Sequence, residues 1–200
     1  MFRNSVRFIP VWMVVGTAVC LADSAADAPG RILFDFSSES SAKPWQAVND
    51  GVMGGRSTGK LRVNDDNQLV FSGVLSLANN GGFASIRASK SEMNLADGDV
   101  LVARVLGDGR TYQFNVYTQQ NLGGYSFRQS FSTKKGEWTE VRLPVDQFVA
   151  TWRGRTFPNQ KFDPAKAAGL GILLGDKKPG PFELVVDWIK VMPAGDTTAK

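Results

Sequence analysis

Gly54 to Lys60 reads G-x-x-x-x-G-K, one residue short of a phosphate-binding loop. Such a loop needs a buried strand before it, a helix whose N-terminus faces the phosphates, and Ser or Thr after the Lys to hold magnesium. Here Leu61 stands where the hydroxyl belongs, and KLRVNDDNQLVF alternates as a hairpin, so no nucleotide is expected. Carboxylates are the next candidates, because glycosidic-bond hydrolysis needs only two acids flanking the bond. Asp50, Asp108, Glu137, Glu140 and Asp187 could be nominated. Asp50 and Asp108, however, lie in Asn-Asp-Gly and Gly-Asp-Gly turns, where a short carboxylate bonds backbone amides. Glu140 and Arg142 alternate on one strand face as a solvent-side pair. The chain has no histidine and one cysteine, Cys20, which removes imidazole and thiolate metal sites and the Ser-His and Cys-His nucleophiles. Asn64-Asp65-Asp66-Asn67 offers oxygens to calcium but lacks the spacing and Glu of a calcium loop, and reads as a hairpin turn. No enzyme, metal or cofactor is expected.

The elements that must position these residues repeat with a period near two. In QLVFSGVLSL, Leu69, Phe71, Leu75 and Leu77 point one way and Gln68, Ser72 and Ser76 the other, the pattern of a half-buried strand. The alternation recurs in Val100–Val105, Thr111–Tyr117, Tyr125–Thr133, Glu137–Pro144 and Phe182–Val191, with Gly-, Asn- and Pro-rich turns between. Many short strands with such connections predict an all-β antiparallel sandwich or barrel over residues 31–192, with a frayed tail at 193–200. Helical patterning is confined to brief stretches near Val145–Phe148 and Asp163–Ala168.

The first 26 residues carry Arg3 and Arg7 ahead of an apolar run from Phe8 to Leu21, then small residues. That is the plan of a secretory signal helix, with cleavage near residues 22–26 and a periplasmic or secreted product. An uncleaved membrane anchor is the alternative; it wants about 20 apolar residues, and Pro10 shortens this run. A mitochondrial presequence should be Arg-rich and amphipathic, whereas this leader is uniformly apolar. Cleavage removes Cys20, so no disulfide is available to the mature chain. It also removes two cations and one anion from a formal charge of +4. The remaining mild excess is scattered without Lys/Arg runs, so no nucleic-acid partner is expected.

Binding is the function the residues permit. TYQFNVYT places Tyr112, Phe114 and Val116 on one face and Gln113, Asn115 and Tyr117 on the other, and YSFRQSFS sets Arg128, Ser130 and Ser132 opposite Tyr125, Phe127 and Phe131. If the polar faces share one sheet, Tyr117, Arg128 and Trp138 would line a glycan or peptide face; a plain hydrated sheet face is the other reading.

The glycine-rich segments form a recognisable set. WQAVNDGVMGGRSTG, FSGVLSLANNGGFASIR, RVLGDGRTYQFNV, EWTEVRLPVDQF and GPFELVVDWIKV, in this order, resemble the complex I intermediate-associated protein 30 family across the whole mature chain. The resemblance implies a single jelly-roll sandwich similar to galactose-binding and carbohydrate-binding domains. It further implies a non-catalytic assembly-factor module that binds a protein client, an extracytoplasmic carbohydrate-binding module being the alternative. The family's signature falls on Asn49, Asp50, Met53, Gly54, Gly55, Ser57, Asn80, Gly81, Gly82, Phe83, Arg87, Gly107, Asp108, Arg110 and Tyr112. With Arg56, the non-glycine residues of this set make the expected client patch. Met53 and Phe83 are either a plug for one end of the sandwich or an exposed anchor, packing being the commoner fate of isolated apolar loop residues.

Overall fold

The computed structural model describes residues 30–89, 93–118 and 125–194; the expected leader and nearly all of the expected tail lie outside these. The chain folds into two antiparallel sheets packed face to face, an all-β sandwich as the alternation predicts. The first sheet runs β3 (Thr58–Val63), β4 (Leu69–Leu75), β13 (Gly180–Met192), β6 (Val100–Leu106), β9 (Trp138–Pro144), with β1 (Arg31–Phe34) also paired to β13. The second runs β11 (Arg155–Thr156), β10 (Val149–Trp152), β8 (Ser126–Ser132), β7 (Thr111–Thr118), β12 (Ala167–Leu174), β5 (Ala84–Ser89), β2 (Trp45–Ala47). Among the described residues, helix is limited to α1 (Glu39–Ala42) and short 3₁₀ turns at Asp50–Met53, Ala78–Asn80, Val145–Gln147 and Pro164–Lys166.

Period-two strands over one core dictate which side chains meet. Tyr112, Phe114 and Val116 of β7, Ile86 of β5 and Leu170, Ile172 and Leu174 of β12 are fully buried against Leu69, Phe71, Leu184 and Val186 of the first sheet. Each such side chain contributes about 1.5–3 kcal/mol on leaving water. In β13 the inward set changes parity. Phe182, Leu184 and Val186 give way to Ile189 and Val191 because the register shifts between Val186 and Trp188. The extra residue of that bulge turns Trp188 to the outer face, where it packs against Val100, Val102 and Met192.

Two expectations are corrected here. Leu77 does not share the inward face of β4; the strand ends at Leu75, the chain enters the Ala78–Asn80 turn, and Leu77 is 43% exposed. Trp138 does not join Tyr117 and Arg128. It lies on β9, which pairs with β6 in the first sheet, while β7 and β8 pair in the second. The Asn64–Asn67 run is the β3–β4 turn: Asn64 Oδ1 accepts from the amides of Asp66 (3.2 Å) and Gln68 (2.8 Å). Lys60 sits within β3, so a strand stands where a phosphate loop requires a helix.

Candidate functional site

One rim of the sandwich collects nearly all the glycine-rich motifs, because they lie at strand ends on the same side. The starts of β5 and β7 and the end of β12 meet through Ala84, Leu174 and Tyr112, and the end of β4 meets the start of β13 through Leu75 and Gly180. Two buried polar nodes stitch the loops there.

The first node is Asp50. Its side chain is fully buried at the start of a 3₁₀ turn. Oδ1 accepts from Ser57 N at 2.9 Å, and Oδ2 accepts from Ser57 Oγ at 2.6 Å, Gly82 N at 2.7 Å and Phe83 N at 3.3 Å. Burial alone would raise the pKa of this carboxyl, but the Ser57 hydroxyl and the amides of Gly82, Ser57 and Phe83 outweigh it and hold the group below the usual range. The surrounding glycines follow from that crowding. A Cβ on Gly55 would fall 2.3 Å from Asp50 Cγ and one on Gly81 2.5 Å from Oδ2, while Gly54 closes the turn at φ +85°. Asn49 donates to Gly59 O at 3.0 Å. The expected local turn carboxylate is therefore a cross-link between the Asn49–Ser57 and Asn80–Phe83 loops.

The second node joins the sheets through Asp108, Arg110 and Tyr112. Asp108 accepts from Arg110 N (3.0 Å), Tyr112 Oη (2.9 Å) and Glu183 N (3.0 Å). Arg110 grips Asp176 with Nε (3.0 Å) and Nη2 (2.6 Å), and also donates to the carbonyls of Lys178 and Pro181. Burial pushes the Tyr112 hydroxyl well above the ordinary tyrosine range, and the neighbouring Asp108 charge adds to the shift. Asp176 was not singled out from the sequence, although its Gly-Asp-Lys-Lys-Pro-Gly-Pro turn carried the signal of a loop needing a clamp.

These nodes leave the rim's apolar residues outside. Met53 is 64% exposed on the turn that Asp50 anchors, which corrects the plug expectation for it; Phe83 is half-buried. Val74 (49%) and Leu77 (43%) are exposed beside the same loops, and Arg56 and Asn80 are exposed as well. Arg87 stands apart from the other signature residues. It lies within β5 on the outer face of the second sheet, its guanidinium 5.3 Å from the centre of the Tyr117 ring. Beyond β12, Arg128 of β8 donates through Nε to Asn115 Oδ1 of β7 at 2.8 Å. Trp138, on the opposite sheet, has Arg104 over its ring at 4.6 Å. No group of three or more His, Cys, Asp or Glu side chains suited to a metal occurs among the described residues, and no helix among them is long and apolar enough to cross a membrane.

The profile of the family described as "Complex I intermediate-associated protein 30 (CIA30)" matches residues 34–186. Among curated relatives, the mitochondrial complex I intermediate-associated protein 30 of Mus musculus is 26% identical over 183 residues, covering 80% of this chain and 56% of that protein. Its Drosophila melanogaster counterpart is 24% identical over 186 residues, covering 80% and 63%. The chain thus spans a little over half the length of these relatives. Among solved structures, the family 11 carbohydrate-binding module from Clostridium thermocellum in complex with a β-1,3-1,4-mixed-linked tetrasaccharide superposes with a TM-score of 0.63 at 16% identity, covering 82% of this chain and 96% of the module. That likeness shows a shared sandwich fold. The mitochondrial names of the relatives overturn the periplasmic or secreted location expected from the leader. The physical reason is that a leader with Arg3 and Arg7 and no acid before Asp23 has the basic, acid-poor character that organelle presequences share with export signals.

Proposed function

Because the chain belongs to the complex I intermediate-associated protein 30 family, we propose that it is a non-catalytic assembly-factor module whose glycine-rich rim docks a protein client, an intermediate of respiratory complex I. Met53 carries this reading. A long, adaptable apolar side chain held outward on a turn fixed by a buried carboxylate is a ready anchor for a partner's pocket. Val74 and Leu77 extend the apolar surface around it. The Asp50 and Arg110 nodes supply rigidity, so little ordering entropy is lost when the client docks. The rim's two anchoring acids are taken up by donors: Asp50 by Ser57, Gly82 and Phe83 and Asp108 by Arg110, Tyr112 and Glu183, while Arg110 is paired with Asp176.

Carbohydrate binding is the weaker reading. Trp138 stands on the far sheet, and the Tyr117 ring already has Gly171 beneath it and a guanidinium over it, so the three residues expected to line a glycan face do not form one aromatic platform.

The test is native-gel separation of mildly solubilised respiratory membranes carrying tagged wild-type or Met53→Glu protein, probed for complex I subunits. Wild type is expected to co-migrate with incomplete complex I and the variant to lose most of that population while melting normally. Equal co-migration of both would remove the rim as the docking surface; absence of wild type from every such assembly would remove the function.

A further inference from the structure

Arg87, Asn115, Tyr117 and Arg128 come together only through the register of the second sheet. Arg87 of β5 faces Gly171 of β12, Gly171 faces Asn115 of β7, and Asn115 faces Arg128 of β8. Gln46 extends the same row at one end and Val149 at the other. Tyr117 leans over β12 because Gly171 has no side chain: a Cβ there would lie 3.0 Å from the tyrosine Cε2 and 3.1 Å from its hydroxyl.

The cluster is rich in donors and lacks an anion. Neither arginine forms an ion pair with any described residue. Arg87 Nε and Asn115 Nδ2 are buried with no hydrogen-bond partner, and Asn115 is only 1% exposed. Arg128 spends its Nε on Asn115 Oδ1, which points the orphaned Asn115 amide nitrogen away from that arginine. Burial lowers the Arg128 pKa, and the like charge of Arg87 lowers it further against the opposing pull of Tyr117. Two guanidiniums and an idle amide donor brought together without a counter-charge cost free energy that an acceptor with negative charge would recover. Arg87, Tyr117 and Arg128 each keep some exposure, so the cluster is reachable from outside.

We infer that Arg87, Asn115, Tyr117 and Arg128 form a carboxylate-binding site on the outer face of the seven-stranded sheet, taking an acidic side chain of a polypeptide laid across the strands. A carboxylate fits because the Nε–H and neighbouring Nη–H of a guanidinium form a parallel pair that grips two oxygens at once, and the Arg87 Nε–H, buried without a partner, gains one when this partly exposed side chain turns toward the acid. A polypeptide fits because the row from Gln46 to Val149 crosses six strands. At about 4.8 Å per step it spans about 24 Å, the length of about seven extended residues. Its cationic centre is flanked by an amide at one end and an apolar side chain, Val149, 41% exposed, at the other. The site lies on a sheet face rather than on the rim, so it is separate from the docking surface proposed above and shares with it only the premise of a protein partner.

Isothermal titration of the purified full chain with N-acetylated, C-amidated tetraglutamate tests this, with tetraglutamine, trigalacturonate and inorganic phosphate as parallel probes. Tetraglutamate is expected to bind and tetraglutamine to give no heat. Arg87→Lys keeps the charge but removes Nε–H and is expected to weaken binding about tenfold. Asn115→Asp places an anion at the floor and is expected to abolish binding; if that variant melts early, Arg87→Lys alone decides. Equal binding of tetraglutamine, an unchanged affinity in folded Arg87→Lys, or tighter binding of trigalacturonate would overturn the assignment. So would a response to phosphate alone, an adventitious ion only. The readout is peptide heat, so failure of the rim to capture a client leaves it untouched.

Discussion

The Asp50 carboxylate and the Ser57 hydroxyl meet at 2.6 Å across seven residues of chain, and the same Ser57 oxygen accepts from Ser76 N at 3.0 Å. One carboxylate thereby ties the Asn49–Ser57 loop to the end of β4 as well as to Gly82 and Phe83. Asp50→Ala would strand several buried donors at once and is expected to cost about 2–4 kcal/mol. Ser57→Ala removes one donor to Asp50 and the acceptor of Ser76 N and is expected to cost less, about 1–2 kcal/mol. Urea unfolding curves with unchanged slopes would measure both; equal, near-zero losses would show that water replaces the carboxylate freely.

Gly55 and Gly81 are there for space rather than for backbone freedom. Gly81→Ala and Gly55→Ala would push a methyl into the Asp50 carboxylate, since the Cβ contacts are 2.5 and 2.3 Å, and each is expected to cost about 1–3 kcal/mol. Gly51, four residues before Gly55, has nothing within 4 Å of an added Cβ, so Gly51→Ala is expected to stay within about 0.5 kcal/mol. Thermal melts of the three variants side by side decide whether the crowding is real.

The carboxylates and the tyrosine of the two nodes set opposite pH limits. Asp50 and Asp176 are both held below the ordinary carboxylate range; for Asp176, burial opposes the shift while the Arg110 and Lys178 hydrogen bonds produce it. A depressed folded pKa stabilises above the unfolded value near about 4 and is lost as pH falls through the folded one. Stability should therefore drop below about pH 4, and Asp176→Asn should flatten that limb. Tyr112 is shifted the other way, so its contribution is complete below the unfolded tyrosine value near about 10 and is lost as pH rises beyond it. Tyr112→Phe should reduce the alkaline slope by about one proton, leaving the part that the likewise raised Tyr117 supplies. Denaturant midpoints from pH 3 to 11 provide the check.

The sandwich was legible because alternation reports a local fact: Tyr112, Phe114 and Val116 face inward, as a period of two over one core requires. What alternation could not report was where the period breaks or which strand lies beside which. Leu77 follows the pattern in sequence and leaves it in space because β4 has already ended. Trp138 was grouped with Arg128 although β9 pairs with β6 and β8 with β7, a choice made by long-range pairing. The turn aspartates were found, but their partners were not. Gly82 lies 32 residues from Asp50 and Asp176 lies 66 from Arg110, distances over which turn chemistry carries no signal. The convergence of Arg87 with Arg128 depends on β12 lying between β5 and β7 with glycine at its crossing point. Nothing in either arginine's own segment encodes that.

Arg110 yields the sharpest test of how the rim is built. Its guanidinium holds Asp176 through two parallel hydrogen bonds and reaches the carbonyls of Lys178, Gly180 and Pro181, with both charged side chains largely buried. Lysine keeps the charge but can place only one compact donor group there, so it cannot serve the carboxylate and the carbonyls together. Arg110→Lys is expected to cost about 1.5–3 kcal/mol and to leave residues 176–181, the β12–β13 loop and the first two residues of β13, without their clamp. Hydrogen exchange should then quicken in that loop and at Glu183, whose amide bonds Asp108, while β7 and β12 keep their protection. Uniform acceleration across both sheets would instead mean that Arg110 supports the whole sandwich, and protection unchanged at 176–181 would mean that the loop holds itself.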